Sequence, residues 1–192
     1  FARNSLILSA GVALAQVLPL LFYPILGRIF TSEEFGLLAT LTSVITVLSV
    51  SGSGKYESGI VIADNKREAA NLAALSVAVG FVVLLVGWLL CQFVLLRPLT
   101  SWLNQPDLGR WFYLCPLAAF SIIIFNVYNE WCVREKYFKS LALNKIINSS
   151  AVVLSRALFG FWHIFAQGLV MGDVIGRAIS ALGCVFRALW RD

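Results

Sequence analysis

From Ala69 to Leu96 the chain runs 28 residues without a charge, and similar gaps recur at Asn4–Gly27, Phe35–Gly54 and Trp111–Asn129. A helix needs about 20 apolar residues to cross a hydrocarbon core of about 30 Å. Lipid offers no partner to an unpaired backbone N–H or C=O, so apolar spans of this kind have to be helical. These gaps therefore predict an all-α, polytopic transmembrane bundle.

Composition agrees. Hydrophobic residues make up 59% of the 192 positions and charged residues 13%, about half the usual share for a soluble domain. The net charge of +5 would suggest a nucleic-acid partner in a soluble protein. Here the placement of the charge matters more than its sum, and no nucleic acid is implied. Cys91, Cys115, Cys132 and Cys184 lie in or beside apolar segments without paired spacing, which reads as buried thiols rather than disulfides or a metal site. Asn4–Gly27 is too long for the core of a signal peptide and lacks a small-residue cleavage site.

Six spans fit, at about 4–29, 35–54, 69–95, 111–133, 141–161 and 164–189, joined by short loops as a single transmembrane lobe over 1–192. The weakest break is the one between spans five and six, at Phe161–Gly168. With the N-terminus inside, nine Lys and Arg side chains fall on the inner side and three on the outer side, Arg28, Arg97 and Arg110. The excess predicts an N-in, C-in orientation. Thr31-Ser-Glu-Glu34 has the form of a capping box opening span two. Asp64 or Asn65 suits the cap of the helix entering span three, and Arg97-Pro98 suits that span's end. Trp102 and Trp111 fit an aromatic belt.

The first four spans carry almost no ionisable groups, whereas the last two do. Such groups in a bilayer face a partner or a watery cavity. Lys145, Ser149 and Arg156 fall within about 40° of one another on a helix, with Asn148 beside them. Lys145 is close enough to the inner surface to snorkel, while Arg156 is about 22 Å along the helix from Leu141. On span six, Asp173 and Arg177 share a face at four-residue spacing. They form either a self-neutralised pair locking the bundle or part of a cavity wall; a lone Arg156 favours the second. Gly168, Gly172 and Gly176 make overlapping GxxxG patterns expected of close helix packing. Glu130 and Arg134 are placed for an i,i+4 pair, and Pro19 and Pro24 interrupt span one.

Gly52-Ser-Gly-Lys55 resembles the tail of a phosphate-binding loop, but Ser49 stands where its first glycine belongs and Tyr56 follows the lysine. His163 is the single histidine and sits at an outer turn, which argues against a histidine-based catalytic or metal site. No cofactor and no metal are expected.

The segment Arg28-Ile-Phe-Thr-Ser-Glu-Glu-Phe-Gly36 resembles the first loop of bacterial lipid-linked oligosaccharide flippases. Gly54-Lys-Tyr-Glu57 with Ile60-Val-Ile62, Glu68-Ala-Ala-Asn-Leu72 and Lys136-Tyr-Phe-Lys139 are similar to later loops of that family, within the multidrug/oligosaccharidyl-lipid/polysaccharide exporter superfamily. The resemblance implies a member of a group with about 12 to 14 helices in two lobes around a central cavity. The present chain then corresponds to a truncated N-terminal lobe, its C-terminal lobe missing. The implied location is the bacterial inner membrane.

The implied activity is translocation of an undecaprenyl-diphosphate-linked oligosaccharide for cell-surface polysaccharide such as O-antigen or capsule, with membrane lipids and a polysaccharide polymerase as further partners. Arg156 and Arg177 suit anion contact, since a guanidinium fork matches phosphate oxygens. Asp173, Asn148 and Ser149 suit sugar contact or charge balance, with Asp173 a candidate coupling-ion site, and Arg28 and Glu57 the two mouths. Competing readings are a drug/ion antiporter of the same superfamily, a membrane-embedded lipid-modifying enzyme, and an inactive remnant or assembly subunit. An antiporter calls for more acidic groups in the interior than Asp173 alone, and such an enzyme for His, paired carboxylates or a phosphate-binding loop.

Overall fold

The computed structural model describes residues 2–90, 111–161 and 168–190. The expectations for Cys91, Arg97-Pro98, Trp102, Arg110, His163 and the turn before Gly168 lie outside these residues. The described chain is helical throughout its elements: α1 Ala2–Ile29, α2 Ser32–Ser53, a 3-10 turn Tyr56–Ser58, α3 Gly59–Ile62, α4 Lys66–Leu90, a 3-10 turn Phe112–Leu114, α5 Cys115–Arg134, α6 Phe138–Phe161 and α7 Gly168–Leu189. Over the described residues, six long helices overlap the stretches expected as spans. Five of them, among the described residues, are long and apolar enough to cross a membrane by composition alone; α6 is the exception. Its polar stripe makes it amphipathic, so its place in the bundle depends on the helices that cover it.

The helix starts follow from local chemistry. Thr31 caps α2 through the full capping box: its hydroxyl accepts from the Glu34 N–H at 3.3 Å, and the Glu34 carboxylate accepts from the Thr31 N–H at 2.8 Å. Glu68 reaches back in the same way to the Asp64 N–H at 3.2 Å, just before α4. Gly54 ends α2 at φ 54, the left-handed conformation that glycine adopts without steric penalty. The hydroxyls of Thr40, Ser43 and Thr46 on α2 and Ser121 on α5 donate to carbonyls four residues back. Paired in this way, they do not present bare donors to lipid.

Packing is unusual in its order. α6 lies between α1 and α7, α7 continues onto α5, and α5 carries α2 and α4. α1 meets α2 around their shared turn, where Phe30 and Phe35 stack edge to face at 6.5 Å. Leu41 and Ile45 of α2, Ala119 and Ile123 of α5, and Leu169 and Val170 of α7 form the core together with Leu26 and Phe30. Around this core, Leu20 and Leu21 of α1, Phe81 and Val82 of α4 and Leu182 of α7 point outward as a lipid-compatible surface.

Glycines allow the closest approaches. A Cβ on Gly172 would lie 2.5 Å from Arg156 Cα, one on Gly176 would lie 2.5 Å from Val152 Cα, and one on Gly168 would lie 2.8 Å from the Phe159 carbonyl oxygen. The GxxxG row of α7 therefore rides directly on the α6 backbone, as expected of small-residue packing in a bilayer. Cys115, Cys132 and Cys184 are buried in the packing.

Candidate functional site

Close approach of α6 and α7 brings their charges together. Asp173 is 1% exposed and lies between two guanidinium groups: Arg156 Nη2 is 2.6 Å from its Oδ1, and Arg177 Nε is 2.8 Å from its Oδ2. Of the two readings of Asp173 and Arg177, neither describes this arrangement by itself. The intrahelical pair exists, but Arg156 joins it from 17 residues away, making a triad in which one carboxylate serves two cations. The Arg156 Nε is buried and has no acceptor. A buried donor left without an acceptor is costly.

The triad borders a cavity of about 390 Å³ between α1, α6 and α7. Arg156, Arg177, Asn148 and Ser149 line it. Lys145 also lines it, rather than only snorkelling to the surface, as do Gln16 and Tyr23 of α1. Three cations thus face one cavity, with Asp173 the carboxylate paired to two of them, which leaves a formal excess of +2. Such a site favours an anion. Lys145 shares the face of Ser149 and Arg156 on the helix, and that stripe was the signal that identified it.

α1 contributes through its proline. Pro19 has no N–H, so the carbonyl of Ala15 loses its helical donor. Ser149 supplies the replacement, its hydroxyl donating to the Ala15 oxygen at 2.6 Å. Helix α1 runs through both prolines without a break. Ser149 therefore ties α1 to α6 at the cavity edge.

The two candidate mouths differ. Arg28 is exposed in the last turn of α1. Glu57 is buried at 3% exposure, accepting from the Ser53 hydroxyl at 3.2 Å. Arg134 does not pair with Glu130. Its Nη1 donates instead to the carbonyls of Ile60, at 3.1 Å, and Ala63, tying the loop after α2 to α5. The loop carbonyls near the end of α3 have few helical donors, and a guanidinium offers several N–H groups at once. A second polar link was not visible in the sequence: Arg187 of α7 donates to Asn144 of α6, whose amide reaches Asn129 of α5 at 3.5 Å. The members of this link lie on three different helices, so no spacing within one segment points to it.

A family model described as "Polysaccharide biosynthesis protein" matches residues 1–191. The succinoglycan biosynthesis transport protein ExoT of Rhizobium meliloti (strain 1021) is 29% identical over 157 residues, which cover 75% of this chain and 30% of that protein. The chain thus spans less than a third of the length of that relative. No solved structure matches.

Proposed function

The chain belongs to the polysaccharide biosynthesis protein family, and we propose that it forms one transmembrane lobe of a transporter for lipid-linked oligosaccharide. Its family and the five apolar helices among its described residues make it a multi-pass protein of the bacterial inner membrane. The cargo is an undecaprenyl-diphosphate-linked oligosaccharide moving from the inner to the outer leaflet. The observation that carries this reading is the excess of positive charge in the cavity, where Lys145, Arg156 and Arg177 face one space and only the two arginines are paired to a carboxylate, Asp173. A diphosphate headgroup supplies the missing anion, and the guanidinium forks match its oxygens. Asn148 and Gln16 offer amides to sugar hydroxyls.

A second lobe closes the other side of the cavity, and α1 moves together with α6 against that lobe as access alternates. The N-in, C-in orientation puts Glu57 at the inner end and Arg28 at the outer end, one at each mouth. A polysaccharide polymerase takes the product at the outer face. This is a transporter's chemistry, in which residues bind and release without breaking a bond.

Lys145 gives the cleanest test, because it lines the cavity outside the triad. In cells that depend on the full-length transporter, Lys145→Gln lowers surface polysaccharide about tenfold, the cost of one charged contact. The protein level in the membrane stays the same. Undiminished export in both Lys145→Gln and Arg177→Gln, at equal protein level, removes the cavity from the transport path.

A further inference from the structure

A second cavity, of about 410 Å³, opens between α4, α5 and α7. Its walls are apolar, with Ala73 of α4, Trp131 of α5 and Leu189 of α7 among them, while its rim carries Lys66, Glu135 and Arg187. All three charged groups lie at one end of the bundle: the start of α4, the residue after α5 and the last turn of α7. Lys66 is three-quarters exposed and 3.6 Å from Glu135. Arg187 is held in place by its bond to the buried Asn144, so its position at the rim is fixed in advance.

We propose that this groove is a binding site for one anionic phospholipid of the adjoining leaflet. An apolar cleft that opens sideways between spans accepts an acyl chain. A basic rim at headgroup level accepts a phosphate, a pattern that recurs where basic pockets between helices bind anionic lipids. Two cations against one carboxylate leave the rim with a surplus that a zwitterionic headgroup does not neutralise and an anionic one does. In the orientation proposed above this is the inner leaflet. The site itself rests on geometry independent of the cargo in the other cavity.

Trp131 provides the probe, because it lines the groove. The full-length protein is reconstituted into vesicles in which a fraction of either phosphatidylglycerol or phosphatidylcholine carries brominated acyl chains, which quench tryptophan on contact. The Trp131 signal is the difference between the wild-type protein and Trp131→Phe. The expected result is half-maximal Trp131 quenching at about five-fold less brominated phosphatidylglycerol than phosphatidylcholine, the effect of about one basic residue near a charged surface. Lys66→Gln erases that preference, and Ala73→Phe, which fills the groove, lowers Trp131 quenching by both lipids. Equal quenching by the two lipids with no effect of Lys66→Gln means unselective surface lipid and overturns the proposal. No Trp131 quenching by either lipid means that protein covers the groove, and it overturns the proposal equally.

Discussion

The hydroxyl of Ser149 occupies the carbonyl of Ala15 at 2.6 Å, the carbonyl that Pro19 leaves without a helical donor. One residue on α6 thus repairs a defect in α1, and the repair couples the two helices beside the cationic cavity. Removing the hydroxyl leaves a carbonyl unpaired in an apolar setting. Ser149→Ala is expected to destabilise the purified protein by about 1–3 kcal/mol. Pro19→Ala restores the intrahelical N–H and offsets much of that loss, so the double variant is more stable than the sum of the singles predicts. Thermal unfolding in detergent of the four proteins measures the coupling; strictly additive changes rule out the tie.

The triad should fail unequally. Asp173→Asn leaves two buried guanidiniums without their anion and is expected to cost about 3–5 kcal/mol, read as loss of folded protein in the membrane. Arg177→Gln leaves the Arg156–Asp173 pair at 2.6 Å and costs less. If Asp173→Asn is as stable as the wild type, the two arginines are solvated and the triad is not a packed unit.

At Gly172 a Cβ would lie 2.5 Å from backbone, with no flexible side-chain end to give way. Gly172→Ala therefore forces α6 and α7 apart, at a cost of about 1–3 kcal/mol by overpacking, and pulls Asp173 away from Arg156. Gly87→Ala is the control, since a Cβ there meets nothing within 4 Å. The two variants are compared by melting temperature, and equal values contradict the close crossing.

Arg134 holds the loop after α2 through the carbonyls of Ile60 and Ala63. Arg134→Gln is expected to raise the rate of protease cleavage between residues 55 and 65 several-fold, while Glu130→Gln leaves it unchanged. If the two variants respond alike, a Glu130–Arg134 pair exists after all.

Much of the fold was legible because its causes are local. The capping box at Thr31 and Glu34 needs four consecutive residues, and five of the long helices follow from apolar stretches of sufficient length. The stripe of Lys145, Ser149 and Arg156 needs the period of a single helix. The pairing of Arg134 departs from its local spacing for the reverse reason. Spacing within α5 offered Glu130, but the carbonyls of Ile60 and Ala63 come from a loop more than 70 residues away. The Asn129–Asn144–Arg187 link went unseen for the same cause, since its members lie on three helices.

The sequence by itself determined a membrane-spanning helical chain with its charge gathered on the last two helices. Only the tertiary structure decided which of those charges meet, because lipid-facing and protein-facing leucines are chemically alike. Between apolar helices in a bilayer the hydrophobic effect does not choose a face; close packing does. The glycines of α7 set its rotation against α6, and that rotation, rather than any spacing along the chain, brings Arg156 to Asp173.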